Sequence, residues 1–481
     1  MKKETNFKFN IVDIEKQIFE IAESRQLEDR DLEMIAGGKM NNKFLASSLA
    51  AISLLTGTGM TTNPKVYASD PPPTSISQKL QQSIQEVQYF TKQQVIEDID
   101  YVMDTLLKNH VGCIDGLPQE VLQQKELEIH NLSESTSSIE EWRIIARIMA
   151  KLHDAHSAIL GPEFLSSKRL PFDIEYKDNK IFCSNGEFKG AEITEINGVK
   201  ISDIYENFKL HYSHEIEEWT HVKFFRAPFI YPLALASAGI DTLKPVEVTF
   251  KNGNNISKQK FEFAKVDFVQ RQPFVSYKID KENGLGIFTL NQCNFNQEYC
   301  DAVDNFFADV AKNNVKNVAV DLRKNTGGSS NVMLYFAKYL NNLKSATTGK
   351  VEIRTSNGIE AFGGKTFTAK ELKTLKSDKN LFDGKVFILT SNLTFSSAIL
   401  FSSVFSDNNL ATIVGEVPGN SPNHYGNVGI HDCTPNSKLQ FTSTTKRFYR
   451  PDSTKDPDRL IPDVQVSAEE ALNKTYELIK C

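Results

Sequence analysis

Residues 385–398 read Lys-Val-Phe-Ile-Leu-Thr-Ser-Asn-Leu-Thr-Phe-Ser-Ser-Ala, and apolar residues continue through Phe405. The first part is a short apolar run of the kind found in a strand buried on both faces; the serine-rich break and the apolar stretch after it mark a strand-to-helix junction. The same alternation extends in both directions. Gly284 to Leu290 and Val315 to Leu322 read as strands, Tyr299 to Ala311 and Val332 to Leu343 as helices, and Ala411 to Gly415 as another strand. Strands alternating with helices form βαβ units, hence parallel strands covered by helices. In such an α/β core, functional groups collect on the loops that follow strand C-termini.

Upstream the pattern changes twice. Thr91 with Gln94 is a capping box, after which Val95, Ile99, Val102 and Leu106 keep one helical face. A second helix is expected to start at Ser138 with Glu141 and to turn Trp142, Ile145, Met149 and Leu152 inward. From Leu170 to about Val275, short apolar runs such as Ile193–Gly198 and Val246–Asn254 are separated by Gly and Asn, which indicates strands and turns. The stretch from Gly190 to Gly198 resembles the strand and turn of a PDZ-like module, although no clear carboxylate-binding loop precedes it. The expected division is a helical region at 78–165, a β-rich and partly PDZ-like region at 166–275, and the core at 276–481.

The first seventy residues carry two export patterns. Ile11, Ile14, Ile18 and Ile21 share a helical face, and Leu27, Asp31, Leu32 and Ile35 lead into Gly37 and Gly38. This resembles the double-glycine leader of bacteriocins, which implies cleavage after Gly38 by a leader-cleaving export transporter; an ordinary helix C-cap at Gly37 is the plainer alternative. Residues 39–68 then place Lys39 and Lys43 before an apolar run from Phe44 to Leu55, and Val66, Tyr67 and Ala68 before Ser69, the order of a secretory signal peptide. If Met40 is the start, secretion replaces the leader. Both routes predict a secreted or cell-surface protein with no stable membrane span after processing, since the apolar run is too short and too rich in serine. Pro71, Pro72 and Pro73 make 69–77 an extended linker.

A chain of 481 residues has room for two or three domains, and its net charge of -6, from 55 basic and 61 acidic residues with no long basic block, argues against a nucleic-acid partner. Cys113, Cys183, Cys293, Cys300, Cys433 and Cys481 form no paired CxxC set, so no structural zinc site is expected, and the acyl-transfer chemistry read below calls for no cofactor. An exported chain permits disulfides; Cys293 with Cys300 is one candidate pair, which spacing does not settle.

Two strand-to-helix junctions carry chemistry. After Asp321-Leu322-Arg323 come Asn325, Thr326, Gly327, Gly328, Ser329 and Ser330, where glycines let backbone amides face an oxyanion. A structural Gly-Gly turn would look the same. At the second junction Ser396 heads a helix, where a hydroxyl and the following amide reach one carbonyl. Helix capping by Thr394, Ser396 or Ser397 is the competing explanation.

Together Asp-Leu-Arg-x-Asn-x-Gly-Gly at 321–328, Thr-Ser-x-x-Thr-Phe-Ser-Ser-Ala at 390–398, Gly415-Glu416 and Ile461-Pro462-Asp463-Val464 resemble the tail-specific protease family in order and spacing. The resemblance implies a ClpP/crotonase-like core, nucleophilic Ser396, an oxyanion hole from the amides of Gly328 and Ser397, and peptide or unfolded-protein substrates. One branch uses a lysine about twenty-five residues after the serine; here Pro418 to Asn423 offer none. The tricorn-like branch uses a histidine from Asp-Gly-His-Thr, and Asp154-Ala155-His156-Ser157 resembles that motif, which makes His156 the expected base and His153 a decoy. The branch also places an acid six residues before the proline of Pro-Asp, which is Asp456, with Asp458, Asp452 and Glu416 as rivals and Asp463 as a turn residue. Relatives that bind retinoids leave a second expectation, a non-catalytic carrier of apolar ligands on the same fold.

Overall fold

The computed structural model describes residues 87–480, except 167, 178–179, 226–229, 266–271, 344–348, 365–375 and 378. The leader with Gly37 and Gly38, the signal-like segment 39–68 and the linker 69–77 lie outside the described residues.

The α/β core is built on a six-stranded sheet whose strands lie side by side in chain order. Val275–Asp280 runs antiparallel to Leu285–Leu290, and then Leu285–Leu290, Asn317–Asp321, Lys385–Thr390, Thr412–Gly415 and Val464–Gln465 are parallel. Side chains alternate between the faces, as the two-residue period of a strand requires. Phe288, Leu290, Val318, Val320, Val386, Ile388 and Ile413 pack under the helices Gln297–Lys312, Asn331–Ala337 and Ser397–Asp407. Leu285, Ile287, Ala319, Phe387, Leu389 and Val414 point the other way, toward the terminal helix Ala471–Leu478. Each fully buried Phe or Leu here contributes about 1.5–3 kcal/mol, so burial on two faces explains why these strands read as continuous apolar runs. The helix expected at 332–343 is shorter, Asn331–Ala337.

Four neighbouring strands are parallel, so the loops after Leu290, Asp321, Thr390 and Gly415 open on one edge of the sheet. Cys293 bridges Gly328 across the first two of these loops. Cys293 and Cys300 are both buried and free, so this candidate pair does not form a disulfide. Cys293 is committed to the loop bridge instead, and its Sγ donates to Asn325 Oδ1 at 3.4 Å.

The N-terminal helices Lys92–Asn109, Gln119–His130 and Ser138–Ala150 form their own apolar cluster. The capping box at Thr91 and Gln94 forms as expected. The second amphipathic helix is capped one residue earlier than expected, by Ser137 Oγ, which accepts from the Glu140 amide at 3.2 Å. This layer is tied to the core by the long hairpin Tyr425–Cys433 and Gln440–Phe448. At its tip the Asp98 carboxylate accepts from the Asn436 and Ser437 amides at 2.7 and 2.8 Å, and along its edge Phe441 and Thr442 pair with Ile159 and Ala158.

The middle region is an antiparallel sheet in the order Asn255–Phe261, Val246–Asn252, Glu192–Ile196, Lys180–Cys183, Ile174–Lys177. The helices Ile201–Leu210, Glu217–Phe225 and Pro232–Ser237 accompany it, and the segment between the first two reaches the functional edge of the core. Among the described residues no helix is long and apolar enough to cross a membrane.

Candidate active site

Ser396 immediately precedes the helix Ser397–Asp407 with φ 54° and ψ -124°. For an L-residue this left-handed region costs about 1–2 kcal/mol, so neighbours must hold it. They do: the Ser396 amide donates to Asn420 Oδ1 at 2.9 Å, the Leu400 amide donates to the Ser396 carbonyl at 3.0 Å, and the Phe395 amide donates to the Asn325 carbonyl at 3.0 Å. The Ser396 side chain makes no capping hydrogen bond to its helix. Thr394 and Ser397 are also occupied, Thr394 Oγ1 donating to the Leu322 carbonyl and Ser397 Oγ to the Gly328 carbonyl. The capping explanation therefore fails for Ser396. A strained strand-to-helix turn that presents an uncommitted hydroxyl is the situation of an activated nucleophile.

The glycine loop lies directly against this turn. Gly327 has φ +107°, and a Cβ there would stand 2.6 Å from the Ser396 Cβ; Gly328 has φ +134°, and a Cβ there would stand 2.4 Å from the Cys293 carbonyl oxygen. Only glycine fits either position. The Cys293 amide donates to the Gly327 carbonyl, and the Ser329 amide donates to the Cys293 carbonyl, which leaves the amide of Gly328 outside the bridge. Among the described residues the Gly328 and Ser397 amides donate to no protein acceptor. Two unspent amides flanking a serine are what an oxyanion hole requires.

His156 comes from the loop between the helix Ser138–Ala150 and the short strand Ala158–Ile159. Its ring centroid lies 4.6 Å from that of Phe395, the residue before Ser396, and the Phe395 ring stacks on Trp219 at 3.9 Å. Both ring nitrogens are buried without a hydrogen-bond partner, and no hydrogen bond joins His156 to Ser396. Burial, with Lys223 adding to it and Asp154 opposing it, brings the imidazole down to about 4, so the ring is neutral near pH 7. His153 is largely exposed and pairs with Glu120 at 3.3 Å, away from this cluster.

Asp154 anchors the loop that carries His156. Its carboxylate accepts from His110 Nε2 at 3.1 Å, Thr444 Oγ1 at 2.7 Å, Ser157 Oγ and the His156 amide at 2.8 Å. Burial opposes its ionisation, but these donors, His110 foremost, hold it below the usual carboxylate range. The Gly112 amide donates to His110 Nδ1 at 3.1 Å, which leaves the His110 proton on Nε2, facing Asp154.

The structure does not bring Asp456 to His156. Asp456 lies in an exposed loop, where its carboxylate accepts from the amides of Asp458 and Arg459 at 2.9 and 3.1 Å. Among the rivals, Glu416 is committed to the amides of Asn392 and Ala468, and Asp452 to Thr454. Asp463 accepts from the Ile413 amide at 2.7 Å, the structural role expected of it. The acidic groups beside His156 are Asp154 and Glu215, one oxygen of each lying within 4.8 Å of a His156 nitrogen and of each other. Glu215 was missed from sequence, as were His424, whose ring lies 6.0 Å from that of His156, and Asn420. An Asp, a His and a Glu so placed could also be read as metal ligands. Both carboxylates, however, already accept several N–H or O–H groups, so the donor set is that of a hydrogen-bond network.

Glycine amides, a strained serine and a neutral histidine gathered at the C-terminal edge of a parallel sheet define a serine-type peptidase. Residues 285–466 match the model of peptidase family S41, the tail-specific proteases. The crystal structure of mature CPAF is similar at 12% identity with a TM-score of 0.56, covering 81% of this chain and 96% of that one. Mature CPAF complexed with lactacystin is similar at 12% identity with a TM-score of 0.55, covering 81% and 97%. The photosystem II D1 C-terminal processing protease matches at 14% identity with a TM-score of 0.43, covering 80% and 97%. At these identities the CPAF likenesses establish fold alone. No curated protein matches the chain.

Proposed function

We propose that the chain is an exported serine endopeptidase that cleaves unfolded polypeptides through an acyl-enzyme, with Ser396 as nucleophile and His156 as base. The observation that carries this reading is the Ser396 turn itself, a backbone held at φ 54° with a free hydroxyl beside two uncommitted amides. In the first step the Ser396 oxygen bonds to the scissile carbonyl carbon as His156 takes the hydroxyl proton, and the amides of Gly328 and Ser397 receive the developing oxyanion. The C–N bond then breaks, and the proton passes from His156 to the leaving amine. Water repeats the sequence on the ester, with His156 again taking and returning the proton. Neither His156 nitrogen makes a hydrogen bond, so the ring can turn toward Ser396 at the cost only of the 4.0 Å approach of Nδ1 to Asp154 Oδ1; catalytic contacts often tighten only when substrate binds.

The same reading takes 78–165, 166–275 and 276–481 as the helical, PDZ-like and catalytic parts. It also takes the N-terminal segments as export signals, with a link to ribosomal-peptide export. Ser396→Ala and His156→Ala proteins should each lose turnover of an unfolded protein substrate while keeping their far-UV circular dichroism. Retained turnover in either would remove that residue from the mechanism. Mass spectrometry of the protein recovered from its producing cells should show Lys39 or Ser69 first; an intact Met1 on mature protein would end the export reading.

A further inference from the structure

Glu215 lies between the helices Ile201–Leu210 and Glu217–Phe225, in the middle region and far from either catalytic segment in sequence. Its carboxylate nevertheless joins three parts of the site. Oε2 accepts from the Ala155 amide of the base loop at 3.3 Å and from Asn420 Nδ2 at 3.1 Å, while Oε1 accepts from the Tyr425 amide at 3.3 Å. Through Oδ1 the same Asn420 side chain holds the Ser396 amide. One carboxylate thus fixes the backbone next to the base and, through a single amide side chain, the backbone of the nucleophile.

We infer that Glu215 is the acid partner of His156, a positioning residue that sets base and nucleophile in register and faces the imidazolium formed during catalysis. This inference rests on the Ser396 and His156 assignment above. The alternatives reach less of the site. Asp154 accepts from His110, Thr444 and Ser157 on Oδ2 and from the His156 amide on Oδ1, which lies 4.0 Å from His156 Nδ1, and none of these bonds reaches the Ser396 turn. Glu215 has one oxygen within 4.8 Å of both a His156 nitrogen and Asp154, and through Asn420 it also holds the Ser396 amide. Asp456 spends its carboxylate on its own loop.

The charged and titratable groups around Glu215 are Asp154 and His156 on the base loop, His110 behind Asp154, and Tyr425 and His424 on the hairpin side. Withdrawal from water, with Asp154 second, pushes the Glu215 carboxyl up. A proton arriving on His156 reverses that balance, because the imidazolium adds positive charge beside both carboxylates. In its ionised form Glu215 therefore stabilises the charged base, which is when an acid partner is needed.

The test uses the full chain with Glu215→Gln, Glu215→Ala and Asp456→Asn variants, alongside Ser396→Ala and His156→Ala. The readouts are kcat and KM on an unfolded protein across pH, and circular dichroism. Glu215→Gln preserves shape and one acceptor oxygen, so it should fold, lose about 10–100-fold in kcat with little change in KM, and lose the rise in kcat that ionisation of Glu215 produces as pH passes through about 8. Glu215→Ala should lose more, and Asp456→Asn should stay within about 2-fold of wild type, since surface changes are near neutral. Wild-type kcat with the wild-type pH profile in Glu215→Gln would overturn the inference, and so would an Asp456→Asn loss as large as that of Glu215→Ala. If Ser396→Ala or His156→Ala kept full activity, the catalytic assignment itself would fail, a result separable from either outcome at Glu215.

Discussion

The Ser396 amide donates to Asn420 Oδ1 at 2.9 Å, and Asn420 Nδ2 donates to Glu215 Oε2 at 3.1 Å. The left-handed backbone of Ser396 is therefore anchored by a buried side chain from the loop after the next parallel strand. Removing a buried partner leaves the opposing donor and acceptor unsatisfied, at a cost of about 1–3 kcal/mol. Asn420→Ala should lower stability by that order in urea unfolding and reduce kcat at least 10-fold with KM nearly unchanged. A variant with lowered stability and full kcat would show that Asn420 serves the fold but not the position of Ser396.

The glycine loop gives a sharper result. A Gly327→Ala side chain would enter within 2.6 Å of the Ser396 Cβ at a φ of +107°. It must displace either its own backbone or the nucleophile, and both belong to the reaction geometry. Activity should fall at least 100-fold, and Ser396 should label poorly with a fluorophosphonate. Gly328→Ala should behave alike, because its Cβ would meet the Cys293 carbonyl, a backbone atom without a rotamer to change. Normal labelling rates in both variants would remove this loop from the site.

The electrostatics of His156 predict a low acid limit. Burial, with Lys223 assisting, depresses the imidazole to about 4, against an ordinary value of 6.5. A general base acts in its neutral form, so kcat/KM should hold its plateau to about pH 5, well below the limit set by an unperturbed histidine. The half-buried Lys223 lies 4.9 Å from the Trp219 ring centre and is itself brought down to about 7 by burial. Lys223→Met removes a positive neighbour, which raises the His156 pKa and moves the acid limb upward. For stability the sign is equally definite. Between pH 6.5 and about 4 the unfolded chain binds the His156 proton more readily than the native one does. The stability associated with neutral His156 is thus complete above pH 6.5 and is lost as pH falls through about 4. A limb that stays in place in Lys223→Met, measured on a substrate that does not titrate in this range, would exclude Lys223 from the field at His156.

The core strands, Ser396 and the glycine loop could be read in sequence because each has a local signature: continuous apolar runs for doubly buried strands, and glycines and serines at their ends. His156 was legible through its four-residue motif. Glu215 has no such signature. It is one acid in His-Glu-Ile-Glu-Glu-Trp at 214–219, and its role arises from contacts across 205 and 60 residues of chain. Asp456 failed for the converse reason. Counting six residues back from Pro462 fixes a position along the chain but not the direction of a loop, and this one turns its carboxylate onto its own amides. The cap of the helix Ser138–Ala150 shifted by one residue because Ser137 and Ser138 are adjacent, and only backbone geometry distinguishes them.

Trp219 tests whether the middle region is part of the catalytic unit. Its ring stacks on Phe395 at 3.9 Å, Phe395 lies 4.6 Å from His156, and Trp219, Val222 and Phe395 form a small apolar cluster of their own. Phe395 directly precedes Ser396, so its ring is clamped between a helix of the middle region and the base. Truncating a buried Trp or Phe to Ala typically costs 3–5 kcal/mol. Trp219→Ala should lose stability of about that order and should also free Phe395 and admit water to the face of His156. Water on that face relieves the burial that depresses the imidazole, so the acid limb of kcat/KM should rise toward 6.5, the ordinary value. Trp219→Phe keeps an aromatic surface over Phe395 and should retain most activity and a limb near the wild-type position. The contrast between these variants separates a packing effect from a catalytic one. If both lose stability and neither moves the limb, the helix Glu217–Phe225 supports the fold only; if the limb moves in Ala and not in Phe, that helix is the wall that keeps the base neutral.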